Sequence, residues 1–283
     1  MKIELAKSAG LCFGVKRAVD TVYDVLKEKK EGPVHTLGPI IHNEQVVQDL
    51  ESKGVQVLHS IDELKEEKDA VVIIRSHGIT KQMQDALEKK DISIVDATCP
   101  FVKKIHNIVH EKWNEGYEII VVGSAKHPEV QGICGWCDNC CSVIETLEEA
   151  QKYTQKEPKK ICIVAQTTFN YKKFEDIVDI LLKKSYDILV MNTICNATEV
   201  RQTEAGTIAR NSDAMIVIGG KHSSNTQKLY EICKKECLNT HFIQTLDDLD
   251  LNLFQSFRSV GITAGASTPN NIIKEVQSYV RHE

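Results

Sequence analysis

No apolar run in this sequence approaches the roughly 18–20 residues that a bilayer-spanning helix needs, so no membrane span is expected. A secretory leader is missing as well: Met1-Lys2 runs directly into a mixed segment without a long apolar core, which predicts a cytoplasmic chain. There is no excess of positive charge. At a net charge of −5, a nucleic-acid partner held on a basic face is not expected. Any anionic ligand must then be held locally, by a few convergent donors. Neither Gly-x4-Gly-Lys-Ser/Thr nor Gly-x-Gly-x2-Gly after a strand occurs, and the Gly219-Gly220 pair is too little to replace these phosphate cradles. What is present is ordinary for a globular protein. The 283 residues suffice for two or three small domains or one large one, with 42% hydrophobic and 27% charged residues.

Cysteine is the exception, with ten in the chain. Disulfides are rare in a reducing compartment, so the surplus points to metal, cluster or redox chemistry. Cys162 lies in the apolar run Ile161-Cys162-Ile163-Val164 and is expected to be buried. Cys233 and Cys237, four apart in a lysine- and glutamate-rich helical stretch, are expected to be structural. Cys134-x2-Cys137-x2-Cys140-Cys141 has the look of a zinc or cluster loop, but no second cysteine pair stands at zinc-ribbon spacing. It reads as a cysteine-rich surface or interdomain turn. His106 and His110 have the spacing of a zinc-protease pair, yet Asn107 replaces the required Glu, so both are expected on a helix surface.

The chain repeats itself three times, and the repeat decides the architecture. Short apolar strands lead into Gly38-Pro39-Ile40-Ile41-His42, Gly123-Ser124-Ala125-Lys126-His127 and Gly219-Gly220-Lys221-His222-Ser223. Four residues beyond each glycine stands a polar side chain: His42, His127 or Ser223. His222 lies one residue off that slot. Capping-type segments follow at Ser60, Thr146 and Thr245, each hydroxyl preceding an acid by three residues. Next come the strands Val71–Ile74, Ile161–Ala165 and Val260–Ala264, which end in Arg75-Ser76-His77-Gly78, Gln166-Thr167-Thr168 and Gly265-Ala266-Ser267-Thr268. Each opens an amphipathic helix, as the spacing of Phe174, Ile177, Val178 and Leu181 shows. Two units close on a cysteine turn, Asp96-Ala97-Thr98-Cys99-Pro100 and Asn192-Thr193-Ile194-Cys195-Asn196. The third is completed from the N-terminus by Ser8-Ala9-Gly10-Leu11-Cys12-Phe13-Gly14. The expected α/β domains are therefore 13–98, 99–193 and 194–283, the last completed by 1–12.

Strands alternating with helices predict parallel sheets covered by helices, with ligands beyond the carboxyl ends of the strands. A pseudo-threefold arrangement brings three layers to one central cavity: His42, His127 and Ser223; His77, Thr167 and Ser267; Cys12, Cys99 and Cys195. Three cysteines at one repeated position point to an iron–sulfur cluster. A cubane normally takes four thiolates, so three leave one iron open to substrate, by the logic that keeps an open position in a catalytic zinc site.

Ser223-Ser224-Asn225 follows a strand and opens a helix, where hydroxyls, an amide and unpaired N–H groups can point at an anion. Plain N-capping by Ser is the equally open alternative. Ser267-Thr268-Pro269 repeats that chemistry, with Pro269 suited to a first helical turn. With His42, His77 and His127, the set suits a phosphate or diphosphate. Glu129, two residues after His127, gains a raised pKa if it stands near a polyanion and an anionic cluster, as a proton donor needs. The other reading is a solvated helix-start acid.

These residues resemble the 4-hydroxy-3-methylbut-2-enyl diphosphate reductases of the non-mevalonate isoprenoid pathway. The resembling motifs are Gly10-Leu11-Cys12-Phe13-Gly14-Val15, Leu37-Gly38-Pro39-Ile40-Ile41-His42-Asn43, Arg75-Ser76-His77-Gly78, Asp96-Ala97-Thr98-Cys99-Pro100, His127-Pro128-Glu129-Val130, Gln166-Thr167-Thr168, Ile194-Cys195-Asn196-Ala197-Thr198, Ser223-Ser224-Asn225 and Gly265-Ala266-Ser267. They span nearly the whole chain in family order. The resemblance implies a trefoil of three α/β domains around a [4Fe–4S] cluster held by Cys12, Cys99 and Cys195. It implies a diphosphate held by His42, His77, His127, Ser223, Ser224, Asn225 and Ser267, and a hydroxyl bound at the open iron. Glu129 would supply the proton and Thr167 would position the hydroxyl or a water. The hydroxyl would leave as water, giving isopentenyl and dimethylallyl diphosphate, with electrons from an external ferredoxin- or flavodoxin-type donor. It supplies no role for Cys134–Cys141. Two other readings stand beside it: another three-cysteine enzyme of the quinolinate synthase kind, and a zinc-binding interaction protein using Cys134, Cys137, Cys140 and Cys141.

Overall fold

The computed structural model describes residues 1–28, 31–64, 69–90, 92–155, 157–250 and 257–282. The chain divides into two compact units. The first holds Met1–Lys16, His42–Val46 and Cys195–Glu283; the second holds Arg17–Ile41 and Val47–Ile194.

The first unit contains one parallel four-stranded sheet, in the order β1 (Lys2–Leu5), β12 (Ser259–Ala264), β10 (Ala214–Ile218) and β11 (Thr240–Ile243). Its helices are the start of α1 (Phe13–Glu28), α8 (Asn196–Arg210), α9 (Ser224–Glu236) and α10 (Asn270–His282). The second unit contains two such sheets. One runs β3 (Val55–Leu58), β2 (Val34–Leu37), β4 (Val71–Ile74) and β5 (Ser93–Asp96). The other runs β7 (Ser142–Ile144), β6 (Glu118–Val122), β8 (Ile161–Ala165) and β9 (Ile188–Val190). Around them lie α2 (Glu44–Ser52), α3 (Lys81–Glu88), α4 (Pro100–Asn114), α5 (Pro128–Cys134), α6 (Leu147–Lys152) and α7 (Tyr171–Leu182).

All three sheets share one plan, with each unit's second strand at one edge, then the first, the third and the fourth. In the first unit the fourth strand is β1, which pairs Lys2 with Ser259. Both faces of a central strand are buried, as a parallel sheet under helices requires. On β10, Ala214, Ile216 and Ile218 pack with Ile272, Ile273, Val276 and Val280, while Met215 and Val217 pack with Ile208, Leu229 and Cys233. On β8, Ile161, Ile163 and Ala165 face Phe174, Ile177 and Leu181, while Cys162 and Val164 face Ile105, Val109 and Ile133. Cys162, Cys233 and Cys237 are buried in these cores, as expected of small hydrophobes.

Several local expectations need correcting. Thr146 and Glu149 form a full capping box before α6, and Thr245 and Asp248 form one around a single 3-10 turn. Ser60 makes no cap bond; Glu63 instead accepts from the His59 N–H at 2.9 Å. Pro269 stands just before α10, not within it. His106 is not on a surface: it is 3% exposed, and its ring stacks on Trp136 at 5.1 Å. Burial pushes its pKa down to about 4. The Cys134–Cys141 turn is at the surface over Asp138, Asn139 and Cys140, while Cys134 and Cys141 are half-buried and Cys137 is fully buried. His222 is exposed.

Candidate active site

Each of the three cysteines of the repeat stands immediately before a helix: Cys12 before α1, Cys99 before α4, Cys195 before α8. In each turn the cysteine carbonyl accepts a helix-opening bond, from Lys16 N–H at 2.9 Å, Lys103 N–H at 2.9 Å and Glu199 N–H at 3.2 Å. All three cysteines are half-buried and stand outside any disulfide. A helix N-terminus favours the thiolate, the form that ligates metal.

Cys12 and Cys195 belong to the first unit. Between their turns lies Arg201 of α8, 5% exposed, whose Nη2 donates to Gly10 O at 2.5 Å and whose Nη1 donates to Ala197 O at 3.5 Å. Burial pushes the guanidinium pKa down, and the neighbouring Cys12 and Cys195 sulfurs push it back up. A buried cation facing two thiols is what a site for an anionic thiolate cluster requires. The donor set therefore fits. Gly10 takes φ +101, and a Cβ there would meet Asn270 Oδ1 at 2.7 Å, so this turn needs glycine.

The same unit holds the anion donors expected around His42. Ser223 caps α9, its Oγ accepting from Thr226 N–H at 3.3 Å, so ordinary capping is part of its role. Ser267 Oγ donates to His42 O at 3.1 Å and lies 3.4 Å from Ser223 Oγ. Gly220 lets this backbone approach; a Cβ there would stand 2.9 Å from His42 O. Asn225 is 3% exposed, and its Oδ1 accepts from Ala266 N–H at 2.9 Å. Its Nδ2 is buried with no partner among the described residues. A donor left so is aimed at a ligand or strands a desolvated group at a cost of about 1–3 kcal/mol. Ser224, half-buried, is the first residue of α9.

The second unit holds Cys99, His77, His127, Glu129 and Thr167. Cys99 N–H donates to Ser76 O at 3.0 Å, which ties its turn to the β4 end that carries His77. Asp96 shapes the turn by accepting from Thr98 N–H at 2.9 Å; Asn192 repeats the bond with Ile194 N–H at 3.1 Å. The His77 and His127 rings meet edge to face at 5.4 Å. His127 caps α5 through Nδ1, which accepts from Glu129 N–H at 3.1 Å. The neutral ring therefore carries its proton on Nε2, as an outward donor.

Glu129 is 2% exposed and grips Thr167 twice. Oε1 accepts the Thr167 N–H at 2.6 Å and Oε2 accepts the hydroxyl at 2.8 Å. Burial pushes its pKa up to about 7, against the opposing pull of the two Thr167 bonds. It is a buried acid poised near neutrality, not a solvated helix-start carboxylate.

Arg201 escaped the sequence reading. Its one signal is the stripe Thr198, Arg201, Gln202 and Ala205, a helical face made mostly of polar residues that is nevertheless buried.

The LytB protein family model matches residues 3–281. The chain is 48% identical over 276 residues to the 4-hydroxy-3-methylbut-2-enyl diphosphate reductase of Caldanaerobacter subterraneus subsp. tengcongensis, covering 98% of this chain and 95% of that one. It is 47% identical to the reductase of that name from Clostridioides difficile, over the full length of both. Among solved structures, it superposes on the E-1-hydroxy-2-methyl-but-2-enyl-4-diphosphate reductase of Plasmodium falciparum with a TM-score of 0.92 at 31% identity, covering 99% of this chain and 87% of that one.

Proposed function

This chain belongs to the LytB protein family, and from that premise we propose that it removes the hydroxyl of (E)-4-hydroxy-3-methylbut-2-enyl diphosphate by two-electron reduction, yielding isopentenyl and dimethylallyl diphosphate. Full-length relatives that carry this reductase's name support the reading. They do not favour a quinolinate synthase-type enzyme or a zinc-binding interaction protein. The observation that carries the chemistry is the buried Glu129 carboxyl, close to half-protonated at neutral pH and locked onto Thr167.

We assign Cys12, Cys99 and Cys195 as ligands of a [4Fe–4S] cluster, which when bound supplies electrons and an open iron able to polarise the hydroxyl. His42, His77, His127, Ser223, Ser224, Asn225 and Ser267 bind the diphosphate. None of the hydroxyl or amide donors changes charge near neutrality, so anion binding survives protonation changes elsewhere. The Thr167 hydroxyl, held by Glu129 Oε2, orients the departing hydroxyl or a water. Glu129 delivers a proton from its carboxyl oxygen, so the hydroxyl departs as water, not hydroxide. A proton added at either end of the allylic skeleton accounts for two products. A cytoplasmic one-electron carrier of the ferredoxin or flavodoxin type supplies the electrons. The identical strand order of the three sheets supports domains at 13–98, 99–193 and 194–283 with 1–12.

The test is anaerobic consumption of the allylic diphosphate with a reduced viologen, alongside iron, sulfide and zinc analysis. Conversion to both isomers by iron-loaded protein is expected, with Cys99→Ser losing iron and activity while Cys137→Ser keeps them. Zinc without iron, in protein from an iron-replete host, overturns the assignment.

A further inference from the structure

The four cysteines from Cys134 to Cys141 take no part in that chemistry, yet their turn is built with care. Helix α5 ends at Cys134 and passes into a 3-10 turn over Gly135–Cys137. Asp138 and Asn139 then take left-handed backbone angles, φ 54° and 58°, which send Cys140 and Cys141 back toward the helix end. Asn139 N–H donates to Cys134 O and Cys140 N–H to Cys137 O, both at 2.9 Å. The turn is anchored on both sides: Trp136 Nε1 donates to Ile79 O at 3.0 Å and Trp113 Nε1 to Asp138 Oδ2 at 3.2 Å.

This reversal packs Cys134, Cys137 and Cys141 into one apolar cluster, where the Cys137 Sγ donates to Cys134 O at 3.2 Å. Cys141 is half-buried and borders a cavity of about 680 Å³ lined also by Trp113, Glu118, Cys140 and Lys159. Cys140 is exposed at the same cavity but outside that cluster, its Sγ donating to Asp138 O at 3.5 Å. A cysteine at the rim of a cavity, packed against two others that do not line it, is the arrangement of an attacking and a resolving cysteine. The neighbouring Cys134 and Cys137 thiols lower the Cys141 pKa, and Cys141 raises theirs. A tetrahedral metal site needs its sulfurs mutually close. Among the described residues no cysteine trio has all its sulfurs within 4.8 Å of one another.

We propose that Cys141 is a thiol–disulfide exchange site, attacking low-molecular-weight disulfides that enter this cavity, with Cys134 or Cys137 as the resolving thiol. In the first step the Cys141 thiolate forms an S–S bond to one half of the disulfide, and the other half leaves as a thiolate and takes up a proton. In the second, Cys134 or Cys137 gives up its proton and attacks Cys141 Sγ, forming the intrachain disulfide and releasing the remaining thiolate. The two cysteines lose two electrons and two protons, and the small disulfide becomes two thiols.

The test treats the anaerobically purified, reduced holoprotein with glutathione disulfide. Free thiols are then blocked with one maleimide, the bridges reduced, and the freed thiols marked with an isotopically distinct maleimide before mass-spectrometric fragmentation. The second mark is expected on Cys141 together with Cys134 or Cys137, with two glutathione released per bridge. At early times the mixed disulfide should stand on Cys141 at least about tenfold more than on the exposed Cys140. Cys141→Ser should abolish the bridge and Cys140→Ser leave it, the wild-type mapping holding whether or not the first variant folds. A bridge or an early adduct centred on Cys140 overturns the proposal. So does one equivalent of zinc that shields Cys141 from the reagent.

Discussion

The two units assemble their polar residues from different chemistry. In the first, Ser223, Ser267 and Asn225 offer hydroxyl and amide donors held by backbone bonds at helix starts, and none of them titrates near neutrality. In the second, His77 and His127 offer imidazoles and Glu129 a carboxyl that burial pushes up to about 7. The difference separates two tasks. Fixed donors hold an anion whatever the pH, whereas titratable groups can move a proton but change their grip as they do so. Loss of the fixed donors should therefore appear in affinity, and loss of the Glu129 proton in turnover.

The largest break in that comparison is Glu129→Gln. The amide oxygen still accepts the Thr167 N–H and its NH2 can donate to the Thr167 hydroxyl, but it has no acidic proton, so kcat should fall about 10²- to 10⁴-fold while substrate affinity stays within a few-fold. Single-turnover and binding measurements check this; a near-normal rate removes Glu129 from the proton path. Next is Asn225→Asp, which retains the acceptor for Ala266 N–H and turns the unpartnered Nδ2 into an oxygen. KM should rise roughly 10- to 100-fold with kcat little changed. A fall confined to kcat would erase the division between the units.

The third effect is on stability. The folded Glu129 pKa of about 7 stands above the ordinary 4.5, so the folded chain binds the extra proton between those values. The contribution is full below pH 4.5 and lost as pH rises through 7. It amounts to up to about 3 kcal/mol at 1.36 kcal/mol per pH unit. Glu129→Gln should flatten the fall in anaerobic unfolding midpoint between pH 5 and 8, and an unchanged slope would place the titration elsewhere. The smallest effect lies in the first unit. Arg201→Met leaves the Gly10 and Ala197 carbonyls without their donor and should destabilise by about 1–3 kcal/mol. Arg201→Lys should recover part of that loss together with iron retention.

The legible features were those fixed by local periodicity or by repetition. Strand-to-glycine junctions, cysteine turns before helices, and Ser223 at a helix start all depend on residues within a few positions of one another. That the N-terminal segment completes the third unit was legible only because Cys12 completed a count of three; its strand β1 was not read from the sequence. Arg201 and His106 were hidden for one reason. A polar side chain on a helix reads as solvated, and only its tertiary neighbours reveal burial: two cysteine turns for Arg201, the Trp136 ring for His106.

The pairing of Lys2 with Ser259 has a consequence for how the protein is made. Strand β1 leaves the ribosome roughly 250 residues ahead of its hydrogen-bonding neighbour β12. At about 5–20 residues per second, β1 waits roughly 10–50 s for the edge it completes. Until then Cys12 has no Ala266 carbonyl to fix its turn. Synthesis interrupted before β12 leaves that cysteine on an untethered segment, so competence to take up a cofactor waits on the arrival of β12 and Ala266.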